Sequence, residues 1–330
     1  MRLQPGLLLT VVAAAVLWGC DARSASDPPR LTLERAIPLA DAKGRIDHLA
    51  IDPAHRRLFV AELANGSVEA VDLASGRSRG RITGLSEPQG LGYLPGPDEL
   101  AVATGGDGML RFYRAGDLGF VGAVKLGEDA DDVRVDPATG RVVVGFGAGA
   151  LAVVDPATRK IVGRAPLSAH PEGFEVEGGR AYVNVPNAGR IEVVDIASGR
   201  RLASWSSGWL KFNFPLALDL GTGTVAAVYR LPSTLAIYDV ATGVRRQTLA
   251  ACGDADDVFF DDRRKRIYIV CGSGAVDVLG QTTTGYVRLD RIESRAGART
   301  GAYSRQLDRL FVAARATRSA GAAILVYRPS

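Results

Sequence analysis

The feature that most constrains this chain is a repeat. Apolar residues followed by Asp or Tyr recur at Val71-Asp72, Phe112-Tyr113, Val154-Asp155, Val194-Asp195 and Tyr238-Asp239, spaced by 41, 42, 40 and 44 residues. Looser copies lie near Asp277 to Leu279 and at Val326-Tyr327. A short turn follows several of them: LASGR (73–77), IASGR (196–200) and VATGV (240–244). A second beat precedes them, as in LAIDPAHRRLFVA (49–61), VRVDPATGRVVVG (133–145), LALDLGTGTVAAV (216–228) and VFFDDRRKRIYIV (258–270). Runs rich in Val, Ile, Tyr and Phe alternate with Gly, Asp, Pro and Asn, which is strand–turn–strand patterning. No helical periodicity persists beyond two turns. Four short strands per unit of about 40–45 residues describe a β-propeller blade.

Seven such units fit between residue 31 and the C-terminus, which predicts an all-β, seven-bladed β-propeller in a single domain over 31–330. The last unit supplies only three strands, at 298–304, 309–314 and 322–328. The fourth is expected from Leu31 to Pro38, so that strands from both ends of the chain close the ring and leave no open sheet edge.

Composition agrees. Of 330 residues, 47% are hydrophobic and 23% charged, which excludes a disordered or collagen-like chain. Net charge is +4, with basic and acidic residues interspersed, so no nucleic-acid footprint is expected. No CxxCH occurs, which excludes covalent haem. The glycine-rich Gly145-Phe-Gly-Ala-Gly149 joins two strands and has no helix after it, so no NAD site is expected.

The N-terminus reads as an export signal. Arg2 precedes an apolar run from Leu7 to Leu17, eleven residues long, too short for the roughly 20 that span a bilayer. Leu17-Trp18-Gly19-Cys20 resembles a bacterial lipobox. The resemblance implies a lipoprotein-type signal peptide over 1–19, lipidation of Cys20 and a polar tether over 20–30; plain secretion with cleavage nearby is the alternative. The expected location is the periplasm, on a lipid anchor, with the body monomeric.

YVNVPNAGRIEVVDIASGR (182–200) resembles the YVTN-type repeat, with Tyr182-Val183-Asn184 opening a hairpin and Val193-Val194-Asp195 closing it. RLFVAELANGSVEAVDLASGR (57–77) is a more distant copy. The resemblance implies a bacterial envelope propeller. Its wider superfamily includes quinone-cofactor amine dehydrogenase heavy chains, denitrification enzymes and lactonases, so the repeat speaks for fold rather than activity.

In a propeller the inner strands line a central channel, and the loops leading into them meet at one mouth. Those loops are expected to bring together Asp47, His48, Glu87, Gln89, Asp129, Asp131, Asp132, His170, Glu172, Asn213, Asp254, Asp256, Asp257 and Arg299. The tetrapeptide Asp-Ala-Asp-Asp occurs twice, at 129–132 and 254–257, in blades that lie nearly opposite each other. Crowded carboxylates repel, so such a ring calls for a cation or shifted pKa values. Arg299 is the cation expected among them. Asp131, Asp256, His48 and His170 are the candidate ligands for a divalent metal. Against this, Asp and Asn before a strand commonly cap turns.

Asp52, Asp136, Asp219 and Asp261 fall at the other end of the inner strands and are assigned to turns. His55 is assigned to a solvated turn, and Trp205 and Trp209 to packing. Cys252 and Cys271 are expected at the mouth-side ends of adjacent blades, as a disulfide in an oxidising compartment or as two free thiols. Two functional classes stay open. One is a binding propeller whose mouth takes a metal ion, a small cationic ligand or an envelope protein. The other is an enzyme, either a metal-dependent lactonase-like hydrolase or a quinone-dependent dehydrogenase. The chain has no recognisable nucleophile, which favours binding.

Overall fold

A computed structural model describes residues 29–330. The signal peptide, Cys20 and most of the 20–30 tether lie outside them. Twenty-eight strands form seven antiparallel four-stranded sheets. Blade 1 is Leu49–Asp52, Arg57–Glu62, Ser67–Asp72 and Arg77–Ile82 (β2 to β5). Blade 2 is Pro88–Leu94, Glu99–Thr104, Met109–Arg114 and Phe120–Lys125 (β6 to β9). Blade 3 is Val133–Val135, Val142–Phe146, Ala150–Asp155 and Lys160–Pro166 (β10 to β13). Blade 4 is Phe174–Glu177, Arg180–Val185, Arg190–Asp195 and Arg201–Ser206 (β14 to β17). Blade 5 is Lys211–Asp219, Thr224–Leu231, Ser233–Asp239 and Arg245–Ala250 (β18 to β21). Blade 6 is Ala255–Asp261, Arg266–Cys271, Ala275–Gln281 and Tyr286–Glu293 (β22 to β25). Blade 7 is Thr300–Ser304, Arg309–Ala314 and Ala323–Pro329 (β26 to β28).

The missing outer strand of blade 7 is Leu31–Pro38 (β1), paired antiparallel with β28 from Leu31–Pro329 to Pro38–Ala323. Each inner strand touches the next, and β26 touches β2, which closes the ring. Second strands are buried along their length because sheets pack on both faces, as in Arg57–Glu62. Outer strands alternate between half-buried and exposed residues, as in β21. The core is divided into seven apolar clusters, one per interface between neighbouring blades.

The sequence repeat has a structural cause. In blades 1 to 6 the third and fourth strands pair with a register shift at or just before the repeated apolar residue. Such a bulge bends the strand toward its turn. The Asp that follows caps that turn: Asp72 accepts from the Ala74 and Ser75 N–H groups, and Asp239 from Ala241 and Thr242. Asp52, Asp136, Asp219 and Asp261 do the same after the inner strands. Trp205 is packed between Tyr182 and Tyr238. Trp209 is not: it lies on the loop before β18 and is 62% exposed.

Cys252 and Cys271 form a disulfide, Cα to Cα 5.9 Å. It joins the start of the 252–257 loop to the end of β23. Among the described residues no helix is long and apolar enough to cross a membrane.

Candidate ligand site at the channel mouth

The loops between blades and the hairpins between second and third strands make up one face of the disc, the mouth face. There a cavity of about 280 Å³ is lined by residues from all seven blades. Eleven of the residues expected at the mouth line it: Asp47, His48, Gln89, Asp129, Asp131, Asp132, His170, Glu172, Asp256, Asp257 and Arg299.

Glu87, Asp254 and Asn213 do not line it. In three of the lead-in loops one acidic residue takes a left-handed backbone: Glu87 (φ 52°), Asp129 (φ 52°) and Asp254 (φ 58°). Its carbonyl accepts the N–H of a glycine that follows the second strand of that blade, Gly105, Gly147 or Gly272. A Cβ on Gly105 would sit 2.2 Å from Gln89 Nε2, and one on Gly272 2.1 Å from Asp254 Oδ2. The Glu87 and Asp254 side chains stay out of the cavity lining, whereas Asp129, with the same backbone conformation, lines it. The last two aspartates of each Asp-Ala-Asp-Asp loop line it as well. Asn213 is fully buried, donating to Asn184 Oδ1 at 2.7 Å and to the Arg190 carbonyl at 3.1 Å. It joins blades 4 and 5 instead of facing the channel.

The mouth is not a bare acidic ring. Arg45, Arg134 and Arg230 line it with Arg299, beside a further carboxylate, Glu175, and the Phe214 ring. Arg45 pairs with Asp47 at 3.0 Å, and Arg134 with Asp132 at 3.0 Å and Glu175 at 3.3 Å. Arg230 contacts Asp256 and stacks 3.8 Å above the Phe214 ring. Arg299 reaches Asp256 at 3.1 Å. Arg134 and Glu175 had a sequence signal that the loop-centred reading passed over. Each is the polar residue between two apolar ones in an inner strand (Val133-Arg134-Val135, Phe174-Glu175-Val176), and period-two alternation points it into the channel.

Shared charge shifts the titration of this group. Burial opposes protonation of His48, but Asp132, then Asp47, Asp257 and Asp131, raise its pKa to about 10. Burial also works against the Asp132 carboxylate, yet Arg134 and His48 hold it below the ordinary aspartate range. Burial pushes Asp257 up to about 7 and Glu172 to about 8, the latter helped by Asp256 and Asp132. Asp131 is raised well above its usual value, by burial first and then by Asp47. Among the described residues Asp131 makes no ion pair with an arginine, and its Oδ1 is buried without a hydrogen-bond partner.

These facts bear on the expected metal ligands. Asp131, Asp256, His48 and His170 line one cavity, but their donor atoms do not form one group. Asp256 is taken by two arginines, His48 carries a proton, and His170 Nδ1 lies 2.7 Å from the Gly147 carbonyl. Among the described residues, the group of three or more donors lying within 4.8 Å of one another is Asp52, His55 and Asp98. It sits on the opposite face of the disc. His55 is thus more than a solvated turn residue: its Nδ1 is 2.9 Å from Asp52. The composition of this acidic, histidine-containing cluster is compatible with metal binding. The Arg57 guanidinium already stands among the three, 2.6 Å from Asp52, 3.2 Å from His55 Nδ1 and in contact with Asp98.

No Ser, Thr, Cys or Lys lines the mouth cavity. A covalent nucleophile from that lining would be a carboxylate or a histidine.

No protein-family model matches the chain, and no curated protein matches it by sequence. Similar solved structures are propellers. A chain of the mitotic checkpoint complex has a TM-score of 0.76 at 15% identity, covering 97% of this chain and 99% of that one. A chain of hydrazine synthase from Kuenenia stuttgartiensis has a TM-score of 0.72 at 15% identity, covering 83% and 94%. At that identity the likeness is one of fold: the chain is a seven-bladed β-propeller.

Proposed function

We propose that this is an exported propeller of the bacterial cell envelope, a YVTN-like binding module whose channel mouth takes a small cationic ligand. The observation that carries this is Asp131. Its carboxylate lies buried among Asp47, Asp132 and Glu172 with one oxygen unpartnered, while the mouth arginines engage Asp47, Asp132, Glu175 and Asp256. A protonated amine at that position supplies the missing donor and draws the Asp131 proton off. The cavity is slightly smaller than sites for drug-sized ligands, which suits a compact molecule. The interleaved arginines favour an organic cation over a desolvated divalent ion. The apolar leader and the disulfide support export.

The test is thermal stability against a panel of putrescine, agmatine, Ca²⁺, Mg²⁺, Mn²⁺ and Zn²⁺. Ligand at 100 times its dissociation constant stabilises the folded state by about 2.7 kcal/mol. The wild type is expected to gain stability from at least one amine, and Asp131→Asn to lose most of that gain. An unresponsive wild type, or a variant that responds equally, overturns the reading.

A further inference from the structure

The face opposite the mouth, made of the turns after first and third strands, has its own charge order. Between Asp52 and Arg309 these turns carry seventeen Arg and Lys against fourteen Asp and Glu. The excess is small, but the two signs are not placed alike. Most of the turn aspartates accept hydrogen bonds from their own backbone and are buried or half-buried, Asp52, Asp136 and Asp261 at most 1% exposed; of the fourteen acidic residues only Asp117, Glu177 and Asp262 are exposed. The basic side chains that follow them, among them Arg56, Arg141, Arg180, Arg200, Arg263 and Lys265, are exposed. The outermost layer of this face is therefore basic, whereas the mouth gathers eight carboxylates around four arginines and two histidines.

The chain also enters the disc on this face. β1 runs antiparallel to β28 toward the mouth, so Pro29 and Arg30 lie at the opposite rim beside Ser330. The described part of the chain thus begins on this face.

We infer that the basic face lies on an anionic lipid bilayer and directs the mouth away from it. A membrane carrying negative headgroups matches this face in charge. The described chain begins on the same side, so a lipid on Cys20 followed by a short polar tether holds this face within reach of the bilayer. Attraction of this kind acts within a Debye length of about 8 Å at physiological salt, a range the exposed guanidinium groups reach. The mouth cluster, on the far side of the disc, stays open to solutes whether or not it binds a cation.

The experiment is co-sedimentation of the full chain with vesicles of phosphatidylcholine alone and of equal parts phosphatidylcholine and phosphatidylglycerol. A hydrophobic anchor at the N-terminus contributes equally to both, so the difference between them isolates the electrostatic part. Each basic side chain at an anionic surface is worth roughly fivefold in partition. Replacing Arg141, Arg180 and Arg263 together by Gln is therefore expected to weaken the anionic-vesicle excess roughly 100-fold. Replacing Lys43, Lys211 and Arg318, exposed on the mouth face, is expected to change it only a few-fold. Matching melting temperatures establish that both triple variants are folded. Rising salt should erase the wild-type excess. Equal wild-type partition into the two vesicle types overturns the inference, and so does equal weakening by the two triple variants. Failure of the amine panel at the mouth leaves this outcome untouched, because the two tests read opposite faces.

Discussion

His48 Nε2 stands 3.4 Å from Asp132 Oδ1, joining the lead-in loops of blades 1 and 3 across the inner end of blade 2. A contact that skips a blade is possible only at the channel axis, where loops far apart in sequence converge. Both partners depend on charge. His48 stays protonated because of the carboxylates around it, and Asp132 stays ionised because of Arg134 and His48.

The first prediction is a pH dependence of stability. The folded pKa of His48, about 10, lies above the ordinary value of 6.5. Its contribution is therefore fully present below about pH 6.5 and is lost as pH rises through 10. Asp257 and Glu172 are also raised, to about 7 and 8, so ionising them costs stability over the lower part of the same range. All three act in one direction. The melting temperature should fall steadily from pH 5 to pH 10. His48→Gln should lower stability by roughly 3 kcal/mol at pH 7 and much less at pH 10. Melting curves across that range check it; a variant whose deficit is the same at both ends contradicts the charge assignment.

Arg230 provides a test of ligand sign. It contacts Asp256 and lowers the Glu172 pKa, so it competes with any bound cation. Arg230→Gln should tighten amine binding while lowering thermal stability, because Asp256 loses one of its two partners. Titration calorimetry on this variant and on Asp131→Asn should show affinity changes of opposite direction. Loss of affinity in both contradicts competition between Arg230 and the bound amine.

The Cys252–Cys271 bond closes a loop with a sequence separation of 19, worth about 3 kcal/mol in the chain-entropy account. Replacing both residues by Ser should lower the melting temperature by several degrees. It should also loosen the loop carrying Asp256 and Asp257, seen as weaker amine binding. Unchanged melting would show that the bond is not formed in the mature protein.

Deleting residues 31–38 removes β1 and leaves the β28 edge unpaired, together with Leu31 and Ile37, buried in two of the inter-blade clusters. An open edge invites association. Size-exclusion chromatography should show oligomers or aggregates in place of the monomer expected for the intact chain. A monomeric deletion variant with unaltered melting would contradict closure as the source of stability.

The sequence by itself determined the blade count, the strand grammar and the closing strand, because each rests on local alternation and on a period that needs no distant contact. Leu31 to Pro38 was legible as a lone amphipathic strand ahead of a unit short by one. The doubled Asp-Ala-Asp-Asp loops were legible for the same reason. What tertiary structure decided is the charge balance of the mouth. Arg45 and Arg134 meet Asp47 and Asp132 two residues away, but Arg230 and Arg299 lie 26 residues before and 43 residues after Asp256, and His48 lies 84 residues before Asp132, so only the assembled ring brings these together. The left-handed backbone at Glu87, Asp129 and Asp254 was likewise settled by their carbonyls' hydrogen bonds from Gly105, Gly147 and Gly272, which come from the far end of the second strand. Local patterning specifies strands, but a pKa or an ion pair is a property of neighbours, and in a ring the neighbours at the axis come from every blade.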